Sequence, residues 1–248
     1  MLHSLTKPPM RQLSLLLPML FNASLACAAE PTSTQVFHDH GELHYVGPID
    51  EQANARLFAL YDGLQDKPDT LAIRSEGGST TQGLALGEWV RDHKLDVKVL
   101  EYCLSSCANY VFPAGRHKKV SNFAIIGLHG GLGSASFNYD ESTKKMFSAM
   151  PAKKRQALID EINASIRGDA VKEQAYFKTL GVRADYVTLG QQVRYQKLYR
   201  DDPKTVGWTY SLEDFGRMGV RDISVINPPW RPGAALKAIS FAVIKLDK

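Results

Sequence analysis

Two adjacent serines, Ser105 and Ser106, stand between Cys103 and Cys107 in the stretch "YCLSSCANYVFPAG". An apolar run follows at once, so these serines sit where a buried helix begins. Further on, "IIGLHGG" places His129 beside two glycines, 23 residues beyond Ser106. Upstream, "IRSEGGSTTQG" carries the glycine pair Gly77–Gly78. A serine hydroxyl is a weak nucleophile until a base takes its proton, and a histidine within reach is the usual base. A helix start offers free backbone N–H groups to a developing oxyanion. Glycines let a backbone donor approach a substrate closely. These residue types in this order suit acyl transfer, with Ser106 as nucleophile and His129 as base. The N–H of Cys107 and that of Gly77 or Gly78 would hold the oxyanion. Each segment also has an ordinary reading: a Ser helix cap, a strand-end histidine, a plain turn. Ser105 is open to the same two readings as Ser106, cap or nucleophile.

The elements that must position these groups alternate. Leu43–Val46 reads as a strand broken by Gly47–Pro48. Asp50 caps a helix in which Ala53, Leu57, Leu60 and Leu64 recur at helical spacing. "DTLAIRSEGG" is a second strand and "TTQGLALGEWVRDHK" a second helix. "DVKVLEY" is a third strand, "SSCANYVFPAG" a buried helix, and "NFAIIGLHGG" a fourth strand. Residues 29–40 read as loose. This alternation predicts an α/β fold with parallel strands and crossover helices. In such sheets ligands sit beyond the carboxyl ends of strands, where "SEGGS", "CLSSC" and "LHGG" all fall. Residues 138–180 read as charged helices interrupted by Pro151 and stopped at Gly181. They suit an arm over the site or helices packed on the sheet. Ser211 caps a late helix, "NPPWRPG" is a stiff connector, and Ile239, Phe241 and Val243 alternate as in a final strand.

The three segments together resemble the crotonase-like superfamily, and within it the branch of the Clp protease proteolytic subunit and signal peptide peptidase A. That branch has a Ser-Pro-Gly-Gly turn leading into a helix, matched by Ser75-Glu76-Gly77-Gly78. It has a nucleophilic serine before a buried helix ending near Ala-Gly, matched by Ser106 before "CANYVFPAG". "SLEDFGRMGVRD" resembles a further helix-to-strand ending of the family. The resemblance covers residues 43–131 well and 208–223 loosely. It implies repeated β-β-α and βα units with extra helices, a serine peptidase-like activity, a peptide or protein substrate, no cofactor or metal, and assembly into a homo-oligomer. Glu76 departs from the family's proline. The third triad member has no acid at the matching positions, so Asp202 is the first candidate and Asp185 the second. No single lysine aligns with a Ser–Lys dyad. Two further functions fit the same frame: a non-catalytic peptide- or ligand-binding module, and enolate chemistry on acyl-thioesters.

Bulk properties set the context. Lys7 and Arg11, the apolar stretch "LSLLLPMLFNASLA" and Ala26-Cys27-Ala28 match a signal peptide over residues 1–28. Pro18, Asn22 and Ser24 interrupt the apolar stretch, which is too short for a comfortable span. Acylation at Cys27 is disfavoured, because Ser24 stands where lipoprotein signals carry a Leu-like residue. The expected product is periplasmic or secreted. It is organised as one domain over 29–226 with a C-terminal extension over 227–248. The whole chain of 248 residues has a formal charge of +4. A mature chain would carry +2, which gives no reason to expect nucleic acid. Export leaves only Cys103 and Cys107 of the three cysteines, a disulfide candidate and a poor zinc site. Four residues apart, they bridge only with Cys103 outside the helix proper.

Overall fold

In the computed structural model, which describes residues 33–134, 141–199, 201–234 and 236–247, the strand–helix alternation builds a six-stranded sheet. It opens with a hairpin. Strand β1 (Gln35–Asp39) turns through His40–Gly41 into antiparallel β2 (Glu42–Val46). His40 and Gly41 both take positive φ, 48° and 77°, the twist that tight hairpins need. The stretch expected to be loose therefore holds a strand. Most of β1 is exposed on the sheet edge, so it shows no apolar alternation that sequence could register. The signal segment expected over 1–28 lies outside the described residues.

Helix α1 (Glu51–Gly63) is capped by Asp50, whose carboxylate accepts from Ala53 N–H at 2.8 Å. It leads into β3 (Thr70–Arg74), then α2 (Thr80–Asp92), capped by Ser79, then β4 (Asp96–Val99). Strands β2, β3, β4, β6 (Lys118–Ser121) and β9 (Ile223–Ile226) run parallel in that spatial order. The expected third strand divides at Leu100–Glu101. Beyond the break, β5 (Tyr102–Leu104) leaves the main sheet and pairs in parallel with β7 (Ile125–Gly127). Bridges at Ser75–Cys103 and Leu128–Trp208 connect this pair to the end of β3 and to β8 (Thr205–Tyr210). The final strand, β10 (Ser240–Ile244), lies parallel to β8. These pairings bring the ends of β3, β5 and β7 together, and the chain is a mixed α/β fold with a mostly parallel sheet.

Strand β6, in "RHKKVS", is an element that the sequence reading does not include, since charged residues fill the stretch. Lys118 is nonetheless buried at 4% exposure. Its amine donates to Gly115 O (2.7 Å) and Arg221 O (2.9 Å), which satisfies the group without a carboxylate. Helix α4 (Glu141–Ala149) ends before Pro151, and α5 (Ala152–Leu180) runs unbroken to Gly181, whose φ of 67° makes the left-handed stop. The last turns of α5 bury Glu173, Tyr176 and Phe177 in the core. There Phe177 meets Tyr186 edge-on, and Tyr110 lies nearly parallel to Phe177. A short helix α6 (Val193–Gln196) and the Ser211-capped α7 (Leu212–Arg217) complete the described elements. No described helix is long and apolar enough to cross a membrane. The described residues cluster as one compact unit.

Candidate active site

The turn after β3 is built around glycine. Ser75 is fully buried, and its hydroxyl accepts from Gly77 N–H at 3.1 Å. Gly77 and Gly78 take φ values of 93° and 147°. A Cβ on Gly77 would lie 2.6 Å from Ser105 Cβ and 2.9 Å from Ser106 N, so the turn packs its bare backbone on the serine pair. The carbonyl of Gly77 accepts from Ile49 N–H (2.7 Å), and Ser79 N–H donates to Ile49 O (3.0 Å). These bonds leave the N–H of Gly78 outside them. Glu76, at the family's proline position, is exposed.

The serines sit at a hinge between strand and helix. Strand β5 ends at Leu104. Ser105 takes a left-handed φ of 51°, and Ser106 is already right-handed helical (φ −55°, ψ −29°). A π-helical turn, Cys107–Val111, continues into α3 (Phe112–Ala114), and every residue of both is buried. Asn109 N–H donates to Ser105 O at 2.8 Å, which anchors the hinge to the first turn. Cys103 lies in β5, outside the helix, and is disulfide-bonded to Cys107 with their Cα atoms 5.2 Å apart. The bridge thus encloses both serines.

The two serines divide the work differently from the expectation. Ser105, half-buried, has its Oγ 2.8 Å from His129 Nε2. Ser106 is 3% exposed, and its hydroxyl donates to Gly78 O at 2.8 Å. It is wedged against α2, where a Cβ on Gly83 would lie 2.7 Å from Ser106 Cβ. The expected pairing of Ser106 with His129 is therefore corrected to Ser105. The reason is local: a residue already in the helical turn points back into the packing, whereas the left-handed hinge residue turns its side chain to the cleft. The serine that the resemblance matches, Ser106, is thus one residue beyond the one that faces His129.

His129 follows β7 by two residues and opens to the cleft. The protein around it disfavours the imidazolium and lowers its pKa below the ordinary histidine value, partly offset by its own backbone carbonyl. With the ring proton on Nδ1, Nε2 accepts from the Ser105 hydroxyl. The expected acids are engaged elsewhere. Asp202 accepts from Thr205 Oγ1 (2.6 Å) and Lys204 N–H, and Asp185 takes both arms of Arg183. Among the described residues no carboxylate is hydrogen-bonded to His129. Of the expected oxyanion donors, Gly77 N–H is committed to Ser75. Those of Gly78 and Cys107 remain, and the N–H of Ser106, not among the expected donors, joins them at the start of the helix.

A cavity of about 490 Å³ opens over this pair. Beside Ser105 and His129 it is lined by Thr80, Asn109, Gln191, Gln196 and Tyr199, among others. No lysine, arginine, aspartate or glutamate is among its described lining residues. The loop after His129 is held from three sides. Asn109 Nδ2 donates to Gly130 O (2.8 Å), and Gln191 Nε2 donates to His129 O (3.4 Å). Glu173, from α5, accepts from Leu132 N–H (3.1 Å), Gly133 N–H (3.2 Å) and the Tyr110 hydroxyl (2.7 Å). Asn109, Gln191 and Glu173 were not singled out from sequence. Asn109 carried one usable signal, a polar side chain inside the apolar run after the serines. Glu173 carried none, since it is one acid in a charged helix.

No family model matches this sequence, and no curated protein does either. Among solved structures, the chain has a part-length likeness to an enoyl-CoA hydratase from Thermoplasma volcanium GSS1. The match has a TM-score of 0.29 and 9% identity. It covers 37% of this chain and 49% of that one, so the chain spans about half the length of the hydratase.

Proposed function

We propose that the protein is an exported serine hydrolase of the peptidase type, on a crotonase-like core of the Clp and signal peptide peptidase branch, with Ser105 as nucleophile and His129 as base. The observation that carries this reading is the 2.8 Å contact between Ser105 Oγ and His129 Nε2 at a left-handed strand–helix hinge on a cavity wall. Ser105 Oγ attacks the substrate carbonyl while His129 Nε2 takes its proton. The tetrahedral oxyanion is held by the N–H of Ser106, the residue after the nucleophile, and by Gly78 N–H. His129 returns the proton to the leaving group, and a water repeats the sequence to release the acyl group. The cavity's lining of neutral polar groups favours an uncharged peptide segment. It disfavours the polyanionic acyl-coenzyme A esters, which need cationic partners.

A fluorophosphonate probe, applied to the purified mature chain and followed by mass spectrometry, tests the reading. The expected result is an adduct on Ser105 that disappears in Ser105→Ala and in His129→Ala. No adduct on a folded protein would overturn it. That outcome would favour a peptide-binding module instead, a reading supported by the lack of a carboxylate on His129 among the described residues.

A further inference from the structure

We infer that Glu173, on the helical arm, is the positioning residue of the Ser105–His129 pair. The inference rests on the hydrolase reading above and assigns the acid that this reading lacks. Glu173 is completely buried, although it belongs to a charged helix that is otherwise largely exposed. A buried carboxylate is strongly unfavourable unless its oxygens are filled by donors. Here one oxygen accepts from the Tyr110 hydroxyl and Leu132 N–H, and the other from Gly133 N–H.

Those donors come from two different halves of the site. Tyr110 lies in the π-helical turn that starts just after the serine pair, at the disulfide-bonded Cys107. Leu132 and Gly133 belong to the loop that begins at His129. Glu173 therefore ties the serine-bearing turn to the histidine-bearing loop. The fit is close: a Cβ on Gly131 would lie 2.7 Å from Glu173 Oε1. Tyr176, one turn further along α5, adds a second anchor by donating to Tyr110 O at 2.7 Å. In a serine–histidine–acid triad the acid bonds the imidazole directly. Here the acid acts through the backbone loop and sets where the imidazole stands relative to the hydroxyl.

The test compares the mature wild-type chain with Glu173→Gln and Tyr110→Phe. Fluorophosphonate labelling of Ser105 is resolved into a maximal rate and a probe affinity. Nitrogen-15 spectra of the His129 ring report its bond to Ser105 whether or not the probe reacts. Gln keeps one acceptor oxygen but sets an NH2 against the backbone donor at the other, Leu132 N–H or Gly133 N–H, so it cannot hold both ends of the loop. Misplacement on the ångström scale predicts a maximal labelling rate lower by roughly 10–100-fold with probe affinity unchanged. The hydrogen-bonded Nε2 signal should be lost. Tyr110→Phe leaves the loop bonds in place and should cost less. The double variant should be no slower than Glu173→Gln alone. An unchanged rate and an unchanged ring spectrum in folded Glu173→Gln would overturn the inference while leaving the hydrolase reading intact. Loss that appears only in probe affinity would overturn it too. A wild-type chain that fails to label would sink the hydrolase reading, and the ring spectrum would then decide on Glu173 alone. If Glu173→Gln does not fold, Tyr110→Phe carries the test, and full retention of rate and spectrum there is the overturning result.

Discussion

Replacing Ser106 by alanine separates the two serines more sharply than any other single change. The Ser106 hydroxyl is buried at 3% exposure and makes a 2.8 Å bond to Gly78 O. A bond of this kind is worth about 0.5–1.5 kcal/mol net, and Gly78 is exposed, so water can take the place of the hydroxyl at its carbonyl. For a domain of this size each kcal/mol lowers Tm by roughly 2–4 °C. Ser106→Ala should therefore melt on the order of 1–6 °C lower than wild type. It should still label at Ser105, within about tenfold of the wild-type rate, since only positioning of the glycine turn is weakened. Ser105→Ala should show the opposite pattern, with Tm nearly unchanged and no adduct. Its hydroxyl faces the cleft, so no buried partner is orphaned. The assays are differential scanning calorimetry and labelling of the same samples. The reasoning fails if Ser106→Ala abolishes the adduct at unchanged Tm, or if Ser105→Ala is labelled at Ser106.

Three further outcomes follow from the geometry. Gly77→Ala puts a Cβ 2.6 Å from Ser105 Cβ at a φ of 93°; strain of about 1–2 kcal/mol and overpacking of about 1–3 kcal/mol should appear as a lower Tm with a far larger fall in Ser105 labelling. Labelling as fast as wild type would refute the packing argument. The protein around His129 lowers its pKa, although the side chain opens to the cleft, so the base stays neutral through mild acid; the rate–pH profile should be flat above pH 6.5 and fall only below it, and an acid limb above that value would contradict the assignment. Burial also lowers Lys118 from 10.5 to about 8, so between these values the unfolded chain holds a proton that the folded chain has lost and stability rises with pH. Relative to Lys118→Met, wild type should gain ~3 kcal/mol of unfolding free energy from pH 8 to pH 10.5, read by urea titration. The buried tyrosines, such as Tyr186 and Tyr210, act in the opposite direction in both proteins and cancel in the difference. A flat difference would show that Lys118 is not desolvated as its burial implies.

Much of the frame was legible because its signals are local. Asp50 and Ser211 cap helices as their side chains suggest, Gly181 stops α5, and the glycine pair, the serine pair and the histidine do meet at neighbouring strand ends. What escaped is what depends on partners far along the chain. Lys118 falls in no expected element, and Arg221 O, which accepts from it, lies 103 positions away. Strand β1 is exposed, so its pairing with β2 leaves no apolar pattern. The choice between Ser105 and Ser106 turns on one backbone dihedral, which no residue type encodes: a left-handed φ at a serine is set by the strand before it and the disulfide-closed turn after it. The resemblance points to an acid just before the late helix, for which Asp202 and then Asp185 are the candidates. The buried one instead comes from a helix that the resemblance does not cover.

That last displacement bears on how the site would work. A histidine bonded to a carboxylate is oriented by one side chain and made more basic by its charge. Here no described carboxylate is hydrogen-bonded to His129, and the protein around the ring lowers its pKa. Its orientation rests instead on the backbone: Gln191 on His129 O, Asn109 on Gly130 O, and Glu173 on the two N–H groups beyond. The strained hinge at Ser105 is held in a matching way, by Asn109 N–H on its carbonyl and by the bare backbone of Gly77 behind it. Backbone strain persists where surrounding structure over-determines it, and such places are where chains keep reactive groups. Asn109 serves both halves, its amide N–H bonding Ser105 and its side chain bonding the loop after His129. A site built this way gains its alignment from packing and hydrogen bonds around the loop, not from an ion pair. Its reactivity should therefore respond to changes in the arm and the loop that touch neither Ser105 nor His129.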